Sequence, residues 1–559
     1  MKMNDTKKSF LCFWILLAVS TGIALFRLGA SEIPHTSWNS NQKGTEIVLD
    51  FKENLEFSGI VYYLGNYENR VFSIETASDE NQTWEAAGMI EMPLVYQWGV
   101  KPLNINGRYI RLKTEKVYTQ LNELLFIDRA GQIVRPVNSY KYPELFDEEA
   151  LYTGGPSYQT GTVFDEPVFA RTAYEYLHGL RSFEDTHPPM GKILISLGIA
   201  LFGMNPFGWR IMGVLARSVI LILIWLFGKK LFRNPWIAVW TAAIFAFDFL
   251  PFTHSRLAQV DTFLVVFMLS MYYFMYSYGE CLLSGQTDHR SIKWKQPFKN
   301  LLFSGISMGF AVSCKWSGCY GAVGLALVWL FYTIYAYRVK KFNRKELGKL
   351  IVWCIVSFLF IPGVIYYLSY IPYISIDPSR SYFEEFILNQ INMFRYHSRL
   401  TAVHSQSSEW YQWPLIAKCI TYISTYAQSG EEHVFLLGNP FFWFPGLLAV
   451  FYTIYEIWEQ KDRKGLVLLI MYLSPLLPWM FISRTSFLYH YFPSLPAMVL
   501  MIGYWSEMSG KRSTYVLAGI AASSMLAFLI FYPVLSGMEI SVEYLQKLQW
   551  LPWWDFVSM

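Results

Sequence analysis

Two adjacent carboxylates, Asp165 and Glu166, open the part of this chain that is richest in reactive side chains. Pro167 follows them, and proline suits the first turn of a helix because no N–H group is needed there. Both acids are therefore expected at the positive end of a short helix, where the helix dipole favours their ionised form. An ionised carboxylate in this position can act as a general base, and the alternative is a solvated loop that caps a helix.

The same stretch ends in His187-Pro188-Pro189-Met190-Gly191-Lys192. Because the paired prolines exclude a regular helix at that point, Lys192 is predicted to open the next one. Acids at one end of the stretch and a cation at the other suit sugar transfer from a phosphate-linked donor. The acid would activate an acceptor hydroxyl, and the cation would stabilise the leaving phosphate.

The composition indicates a membrane protein with many spans. Of the 559 residues, 53% are hydrophobic and 16% are charged, and the mean hydropathy is +0.25. A soluble protein carries about 25% charged residues. The six cysteines are scattered without a CxxC or Cys/His cluster, so no zinc site is indicated. The net charge of +4 is small, and no nucleic-acid partner is expected.

The first third of the chain combines one apolar segment with a β-rich region. Residues 10–26 can span a membrane, and a cleavable signal peptide is the alternative. A retained helix is favoured because Arg27 interrupts the flank and no small-residue cleavage site follows. Residues 34–155 contain short alternating segments separated by turns, which predict an all-β module with a jelly-roll-like sandwich.

The remainder is dominated by apolar runs of membrane length. With the first helix they predict about eleven transmembrane helices, at residues 208–228, 235–251, 258–278, 299–313, 317–336, 350–371, 435–456, 465–482, 487–506 and 514–535. The predicted regions are the N-terminus with the first helix (1–33), the β module (34–155), an outer loop with the acids and a short interfacial helix at 193–203 (156–207), helices (208–371), a second outer loop (372–434), helices (435–535) and an outer tail (536–559).

Lysine and arginine clusters fix the expected orientation. They fall in the alternate short loops 228–234, 280–299, 337–349, 461–464 and 511–512. By the positive-inside rule these loops and the N-terminus are cytoplasmic, so the β module and the acidic stretch lie outside. The expected location is the cell membrane, or the endoplasmic reticulum membrane in a eukaryote.

Seven short motifs occur in the order in which they occur in the protein O-mannosyltransferase family, and together they resemble it from about residue 165 to residue 495. They are Asp165-Glu166 with the His187–Lys192 string, Gly208-Trp209-Arg210, His254-Ser255-Arg256 with Asp261, Ser313-Cys314-Lys315-Trp316-Ser317-Gly318, Phe394-Arg395-Tyr396-His397 with His404 and Glu409–Pro414, Leu437-Gly438-Asn439-Pro440, and Tyr489-His490-Tyr491-Phe492-Pro493.

This resemblance implies a membrane glycosyltransferase of the GT-C fold. Its donor would be mannose or another hexose on a polyprenyl or dolichyl phosphate, its acceptor a protein Ser or Thr, and its reaction inverting. Asp165 would be the base, and Glu166 would position the acceptor. The candidates for holding the donor phosphate are Lys192 first, then Arg210, Arg256, Arg484, His187 and His490. Further site candidates are Asp261, as a second acid or a partner of Arg256, and His397, His404 and Trp413, for which packing is the alternative.

Cofactor, acceptor and function class each leave an alternative open. No carboxylate-rich metal motif stands out, so no cofactor is expected to be required, although a divalent metal could serve the phosphate. The 372–434 loop is too short for the β-trefoil MIR domain of eukaryotic relatives, which favours a bacterial member and leaves an envelope lipid or cell-wall polymer as the rival acceptor. A transporter or flippase would need a polar site at the membrane midplane, and a glycan-binding receptor would depend on the β module.

Overall fold

The computed structural model describes residues 3–65, 71–79, 83–91, 95–283, 293–373, 379–401, 404–427, 430–554 and 556. The helices are α1 Met3–Leu25, α2 Glu166–His178, α3 Met190–Phe202, α4 Pro206–Leu231, α5 Pro235–Ala246, α6 Phe249–Ser255, α7 Asp261–Leu283, α8 Lys295–Cys314, α9 Gly318–Arg338, α10 Arg344–Ile355, α11 Ile361–Ser369, α12 Tyr382–Arg399, α13 Pro440–Gln460, α14 Arg463–Leu476, α15 Leu495–Met508, α16 Ser513–Ser536 and α17 Val542–Lys547. The strands are β1 Trp38–Ser40, β2 Glu46–Leu64, β3 Val71–Ala77, β4 Glu85–Glu91, β5 Gln97–Thr114, β6 Thr119–Leu121, β7 Glu123–Asp128, β8 Ile133–Val134, β9 Ile420–Ala427, β10 Gly430–Leu436 and β11 Glu539–Ile540.

Many helices of the described chain are long and apolar enough to cross a membrane. Eight qualify, or nine if the bent pair α5 and α6 forms one span. A protein with many membrane spans is therefore confirmed, but the count falls below the predicted eleven for identifiable reasons. The α5–α6 pair bends by 60°. Helix α8 begins with Lys295, Gln296, Lys299 and Asn300, and α15 has only 14 residues. Part of the predicted basic loop 280–299 lies outside the described residues.

The region between α1 and α2 is antiparallel β structure, as the sequence predicts. Its described strands form a six-stranded sheet in the order β4-β3-β5-β2-β7-β8 and a separate β1-β6 pair. Strand β2 runs through 19 residues, and its pairing with β5 continues past an irregularity between Asp50 and Leu55.

The β module rests on the helical part of the chain. One face of its sheet buries its own core, which includes Ile47, Leu49 and Phe126. Side chains on the other face, including Tyr63 and Trp98, belong to the hydrophobic core that continues into the helices. The module therefore has a fixed position relative to the helices.

Helix pairing brings polar groups to one end of the bundle. Helix α7 begins at Asp261 and α8 ends just before Lys315, and because the two helices run antiparallel both residues lie at the same end. Arg210 lies in the first turns of α4, whereas Lys229 and Lys230 lie in its last turn. A helix of 26 residues is about 39 Å long, so these groups are far apart.

The chain between α11 and α13 is more ordered than a loop. It forms α12 and a β9–β10 hairpin, and β11 from the C-terminal region adds a third strand in the order β11-β10-β9. Neither the helix nor the hairpin was predicted from the sequence.

Candidate active site

Asp165 lies immediately before α2, and its side chain makes no capping hydrogen bond. The preceding residue, Phe164, has a φ angle of 53°, which is rare for a bulky side chain and carries a strain cost. Its ring packs on Tyr422 and Tyr489, with ring centroids 4.6 and 6.3 Å apart. This packing holds the strained backbone from which Asp165 follows.

The electrostatic surroundings of Asp165 correct one expectation. Burial raises the pKa of Asp165 to about 6, with Lys315 opposing the rise and the negative charges of Asp261 and Glu184 adding to it. The helix dipole therefore does not dominate, contrary to the expectation that it favours ionisation. A carboxylate with a pKa near 6 is ionised at neutral pH and still accepts a proton readily, which suits a general base.

Glu166 has a different environment, although it is the next residue. Its carboxylate is fully buried and receives two hydrogen bonds from the Arg210 guanidinium, at 2.8 Å from Nε and 2.6 Å from Nη2. It also accepts the backbone N–H groups of Val163, at 3.0 Å, and Ala258, at 2.9 Å. The prediction that Glu166 touches the acceptor does not fit this geometry, because its oxygens are occupied within the core.

Arg210 is likewise fully buried and occupied. Besides Glu166, it donates hydrogen bonds to the carbonyl oxygens of Leu28, Tyr158 and Gly161. The predicted phosphate role of Arg210 is therefore corrected. Arg210, in α4, thereby connects this helix to the segment after α1 and to the segment before α2, which leads to Asp165.

Lys192 forms a second buried pair, with Glu184. Its ammonium group also donates to the backbone carbonyl of His187 at 2.9 Å, and its side chain has no exposed area. Burial alone would raise the pKa of Glu184, but the charge of Lys192 and the hydrogen bond from His187 outweigh it and hold that pKa well below its usual range. Lys192, the leading predicted phosphate ligand, is thus enclosed. Glu184 was not among the predicted site residues, although it lies three residues before His187.

Arg256 is buried at the end of α1. It donates to the carbonyl oxygens of Ala24, Phe26 and Arg27, at 2.6, 2.9 and 2.8 Å. Its role is to satisfy a helix terminus, where carbonyl groups lack partners within the helix. The structure therefore does not support its predicted contact with the donor phosphate.

Asp261 pairs with Lys315 and not with Arg256. The Lys315 ammonium lies 2.9 and 3.1 Å from the two carboxylate oxygens of Asp261. His254 lies further away, with 3.9 Å between its Nε2 and the carboxylate. Asp261 therefore fixes the Lys315 ammonium, whose charge also acts on the pKa of Asp165. Lys315 belongs to a motif that the sequence analysis quoted, but it was not among the predicted site residues.

A cavity of about 250 Å³, here called the basic cavity, opens at Lys315. It is lined by Thr186, His187, Pro188, Lys315, Trp316, Ser317, Tyr320, Phe394, His397, Ser398, Trp479, Ile482 and Arg484. The Arg484 guanidinium lies over the Trp479 ring, 5.5 Å from its centroid. Within the described part of the chain Arg484 has no salt bridge, so its charge faces the cavity without an ionic partner.

Two histidines face each other at the wall of the basic cavity, with ring centroids 5.4 Å apart. His397 donates from Nε2 to the backbone carbonyl of Thr186 at 2.8 Å, so its Nδ1 carries the lone pair. That Nδ1 atom is buried and has no hydrogen-bond partner among the described residues. Burial lowers the pKa of His397 to about 4, so its ring is neutral at physiological pH. Both predicted histidines, His187 and His397, therefore lie at the site.

The other predicted aromatic and histidine residues support the walls. Trp413 is buried, donates to the carbonyl of Ser408 at 3.1 Å and stacks on His490. His490 accepts the backbone N–H of Phe487 through Nδ1 at 3.1 Å. His404 is exposed and accepts the backbone N–H of Gln406 at 3.2 Å. None of the three lines the basic cavity, so packing is the role that the structure gives Trp413 and His490.

A wider depression of about 710 Å³, here called the hydroxyl groove, adjoins the basic cavity. The two share His397, Ser398, Ile482 and Arg484. The rest of the groove is lined by Leu400, Thr401, Ser407, Ser408, Glu409, Gln412, Lys418, Phe481, Ser483, Thr485 and Ser486. Its polar walls suit an extended, hydrogen-bonding ligand more than a lipid tail. In the described chain, no three metal-ligating side chains converge at this site.

Two family profiles match the helical part of this chain. Residues 200–375 match the family profile described as dolichyl-phosphate-mannose-protein mannosyltransferase. Residues 382–554 match the C-terminal four-helix transmembrane region of protein O-mannosyltransferase. The two matches together cover more than half of the chain. They include Asp261, Lys315 and Arg484, whereas Asp165 and the β module lie before them.

Two bacterial relatives and one solved structure extend this likeness. The polyprenol-phosphate-mannose–protein mannosyltransferase of Mycolicibacterium smegmatis is 24% identical over 472 residues, 72% of this chain and 90% of its own length. The protein of the same description from Mycobacterium tuberculosis is 24% identical and covers 70% of this chain and 86% of its own length. The structure of the Saccharomyces cerevisiae Pmt1-Pmt2 complex bound to the sugar donor superposes with a TM-score of 0.62 at 15% identity, covering 71% of this chain and 89% of that chain.

The spans and the superposition define a polytopic helical membrane protein with a GT-C-like fold and an added antiparallel β region. The two profile matches give the family as well. The chain belongs to the protein O-mannosyltransferase family.

Proposed function

We propose that this chain is a mannosyltransferase that moves mannose from a polyprenyl phosphate to a hydroxyl group of a protein. The observation that carries the proposal is the family match across the helices that form the site. Relatives named as polyprenol-phosphate-mannose–protein mannosyltransferases align over up to nine tenths of their own length, which extends the likeness beyond a shared helical fold.

Asp165 acts as the general base in this proposal. As the acceptor oxygen attacks the anomeric carbon, its proton passes to the Asp165 carboxylate, and the bond between that carbon and the phosphate oxygen breaks. Attack opposite the leaving group inverts the anomeric carbon. A carboxylate beside the sugar also stabilises the positive charge that develops on the ring. The raised pKa of Asp165 and its fixed backbone support this role.

The departing lipid phosphate is stabilised by Lys315 and Arg484. His187 lines the same cavity, but its Nδ1–H is donated to the Glu184 carboxylate at 3.0 Å. Burial lowers the pKa of His187, so its ring is neutral and Nε2 has no hydrogen to donate. The two cations line one cavity, and Arg484 has no carboxylate partner there among the described residues. Charge-assisted hydrogen bonds of this kind stabilise phosphate strongly. We propose that no metal is needed for transfer, because two cations already serve the phosphate. The alternative is a divalent ion bound together with the donor.

The hydroxyl groove is the proposed path of the acceptor. It joins the basic cavity at His397 and Arg484, and its serine, threonine and glutamine side chains can pair with a peptide backbone. An envelope lipid or a cell-wall polymer is the second acceptor class. The β module, which lies outside both family matches, would then dock the acceptor or cover the site.

The proposed orientation places the active site outside the cytoplasm. It rests on the basic side chains at the helix ends opposite to the site, such as Lys229 and Lys230 at the end of α4. If α8, the segment from 488 to 508 and the α5–α6 pair also cross the membrane, the count becomes the eleven predicted from the sequence. We also propose that the β module is a jelly-roll-like sandwich.

The test uses the purified full chain in lipid nanodiscs with radiolabelled polyprenyl-phosphate mannose. Label is expected on a Ser/Thr-rich peptide and not on lipid acceptors, and Asp165→Asn should abolish it. Transfer to lipid acceptors alone would overturn the proposal that the acceptor is a protein.

An assay in excess EDTA tests the metal-free mechanism and should leave the initial rate unchanged. A loss of rate that Mg²⁺ or Mn²⁺ restores would overturn this mechanism.

A further inference from the structure

Three carboxylates converge in the β module, well separated in sequence. They belong to Glu123, the first residue of β7, and to Asp147 and Glu148 in the segment that leaves the module. One oxygen from each lies within 4.8 Å of the others. Glu123 is completely buried, whereas Asp147 is exposed. Like charges at this separation repel strongly when one of them is removed from water.

The backbone holds the three acids in place. Glu148 accepts the N–H groups of His35 and Thr36, at 2.8 and 3.1 Å, and its own N–H is donated to Glu123 at 3.1 Å. Asp147 accepts the hydroxyl of Thr36 at 2.9 Å. The convergence is therefore built by hydrogen bonds and does not depend on flexible surface side chains meeting by chance.

Buried polar atoms at the cluster have no partner. The Oε1 atom of Glu123 is buried and has no hydrogen-bond partner within the described chain, and the hydroxyl of Tyr63 has none either. Tyr63 lies directly opposite Glu123 in the β2–β7 register, so both side chains lie on one face of the sheet. A buried carboxylate oxygen without a donor is costly, and its position among other carboxylates indicates a cation as the missing partner.

We propose that Glu123, Asp147 and Glu148 bind one Ca²⁺ ion. The donors are all oxygen, which a hard cation prefers. Mg²⁺ keeps several of its waters and is usually held through one or two carboxylates, whereas Ca²⁺ takes several carboxylate oxygens directly. Three converging carboxylates, one of them completely buried, therefore suit Ca²⁺.

The site joins the two connections between the β module and the helices. His35 and Thr36 belong to the segment that enters the module from α1, whereas Asp147 and Glu148 belong to the segment that leaves it toward α2. A cation bound there holds both segments against β7. The segment that leaves the β module continues to Asp165, which directly precedes α2. The ion would therefore also restrain the segment that leads to this residue.

The experiment titrates the purified full chain in nanodiscs with Tb³⁺, whose emission is sensitised by nearby tyrosine and tryptophan rings. Tyr63 and Trp98, whose rings meet edge to face with centroids 5.1 Å apart, provide such a pair. We expect one sensitised site from which Ca²⁺ displaces Tb³⁺ at sub-millimolar to millimolar concentration, the order of magnitude found for extracellular modules, about 10⁻⁴–10⁻³ M. Glu123→Gln and the exposed Asp147→Asn should each weaken binding at least tenfold.

Glu144→Gln is the matched control, because Glu144 is exposed in the same segment and lies outside the cluster. It should bind Tb³⁺ as the unmodified protein does. Equal emission from the unmodified protein and from Asp147→Asn, which is too exposed to disturb folding, would overturn the site. Displacement by Mg²⁺ at the same concentration as by Ca²⁺ would overturn the choice of ion. Binding is read without donor or acceptor, so its failure leaves the proposed transferase activity unaffected.

Discussion

Charged side chains of the same types have opposite roles in the basic cavity and in two buried ion pairs. In the pairs Glu166–Arg210 and Glu184–Lys192, each charge finds its partner inside the chain and no cation is left for a ligand. In the basic cavity, Lys315 and Arg484 line the wall. Asp261 pairs with Lys315 at 2.9 Å, whereas Arg484 has no carboxylate partner in the described chain. A charge is therefore available to a ligand when its side chain reaches a cavity, and Arg484 also lacks a counter-charge there.

The neighbouring acids Asp165 and Glu166 show this contrast over one peptide bond. Glu166 receives four hydrogen bonds and is enclosed, whereas Asp165 has no capping bond and a raised pKa. Two acids that look equivalent in the sequence thus have different tasks. Substitutions at the two positions should separate loss of chemistry from loss of stability.

The largest effect is expected from Asp165→Asn. Removing a general base should lower kcat by about 10²–10⁴-fold, and the thermal unfolding temperature should change little because the side chain makes no capping bond. Initial rates with radiolabelled donor and scanning fluorimetry measure the two quantities. Asp185→Asn, an acid on the loop between α2 and α3, is the control and should retain activity. Near-normal turnover of Asp165→Asn would exclude it as the base.

The next effect concerns stability. Glu166→Gln leaves the Arg210 charge buried without a counter-ion, and breaking such a pair costs about 3–5 kcal/mol. We expect a lower unfolding temperature and a lower yield of folded protein, with activity per folded molecule largely kept. The double variant Glu166→Gln/Arg210→Met removes both charges and should recover part of the stability. A stable but inactive Glu166→Gln protein would place Glu166 among the catalytic groups instead.

Local sequence signals predicted the helices and strands better than they predicted which side chains pair with each other. The acid pair followed by Pro167 predicted the start of α2, which begins at Glu166, and the period of two in residues 34–155 predicted antiparallel strands. Lys192, Arg210 and Arg256 were assigned to phosphate because a sequence shows a charge without its counter-charge. Their partners are Glu184, 8 residues away, Glu166, 44 residues away, and the carbonyls at the end of α1.

The same limit explains what was missed. Lys315 was recognised as part of a motif, but its contact with Asp261 spans 54 residues and depends on the antiparallel packing of α7 and α8. The calcium cluster joins β7 to a segment that follows the module, and this depends on the pairing of β2 with β7. Motif order was informative because it reflects the whole fold, whereas an individual role requires the tertiary contact.

A smaller effect is expected from Arg484→Gln. The guanidinium lines the basic cavity and holds no buried carboxylate, so its loss should leave the unfolding temperature unchanged. One hydrogen bond to a charged group contributes about 1.5–3 kcal/mol, so the KM for the lipid-phosphate donor should rise roughly tenfold or more. Arg399→Gln, at an exposed arginine at the end of α12, is the matched control. Unchanged donor KM in Arg484→Gln would remove this residue from the phosphate site.

The smallest effect is a shift in pH dependence. Because the base must be ionised, kcat/KM should fall as the pH drops below the Asp165 pKa of about 6, by about tenfold per unit at the steep end. Lys315 lowers that pKa, so Lys315→Met should move the acidic limb to higher pH, whatever it does to the maximal rate. His397, with a pKa of about 4, is neutral throughout this range and cannot produce the limb. A limb that keeps its position in Lys315→Met would mean that Asp165 is not the titrating group, and the base would then have to be sought outside the reach of the Lys315 charge.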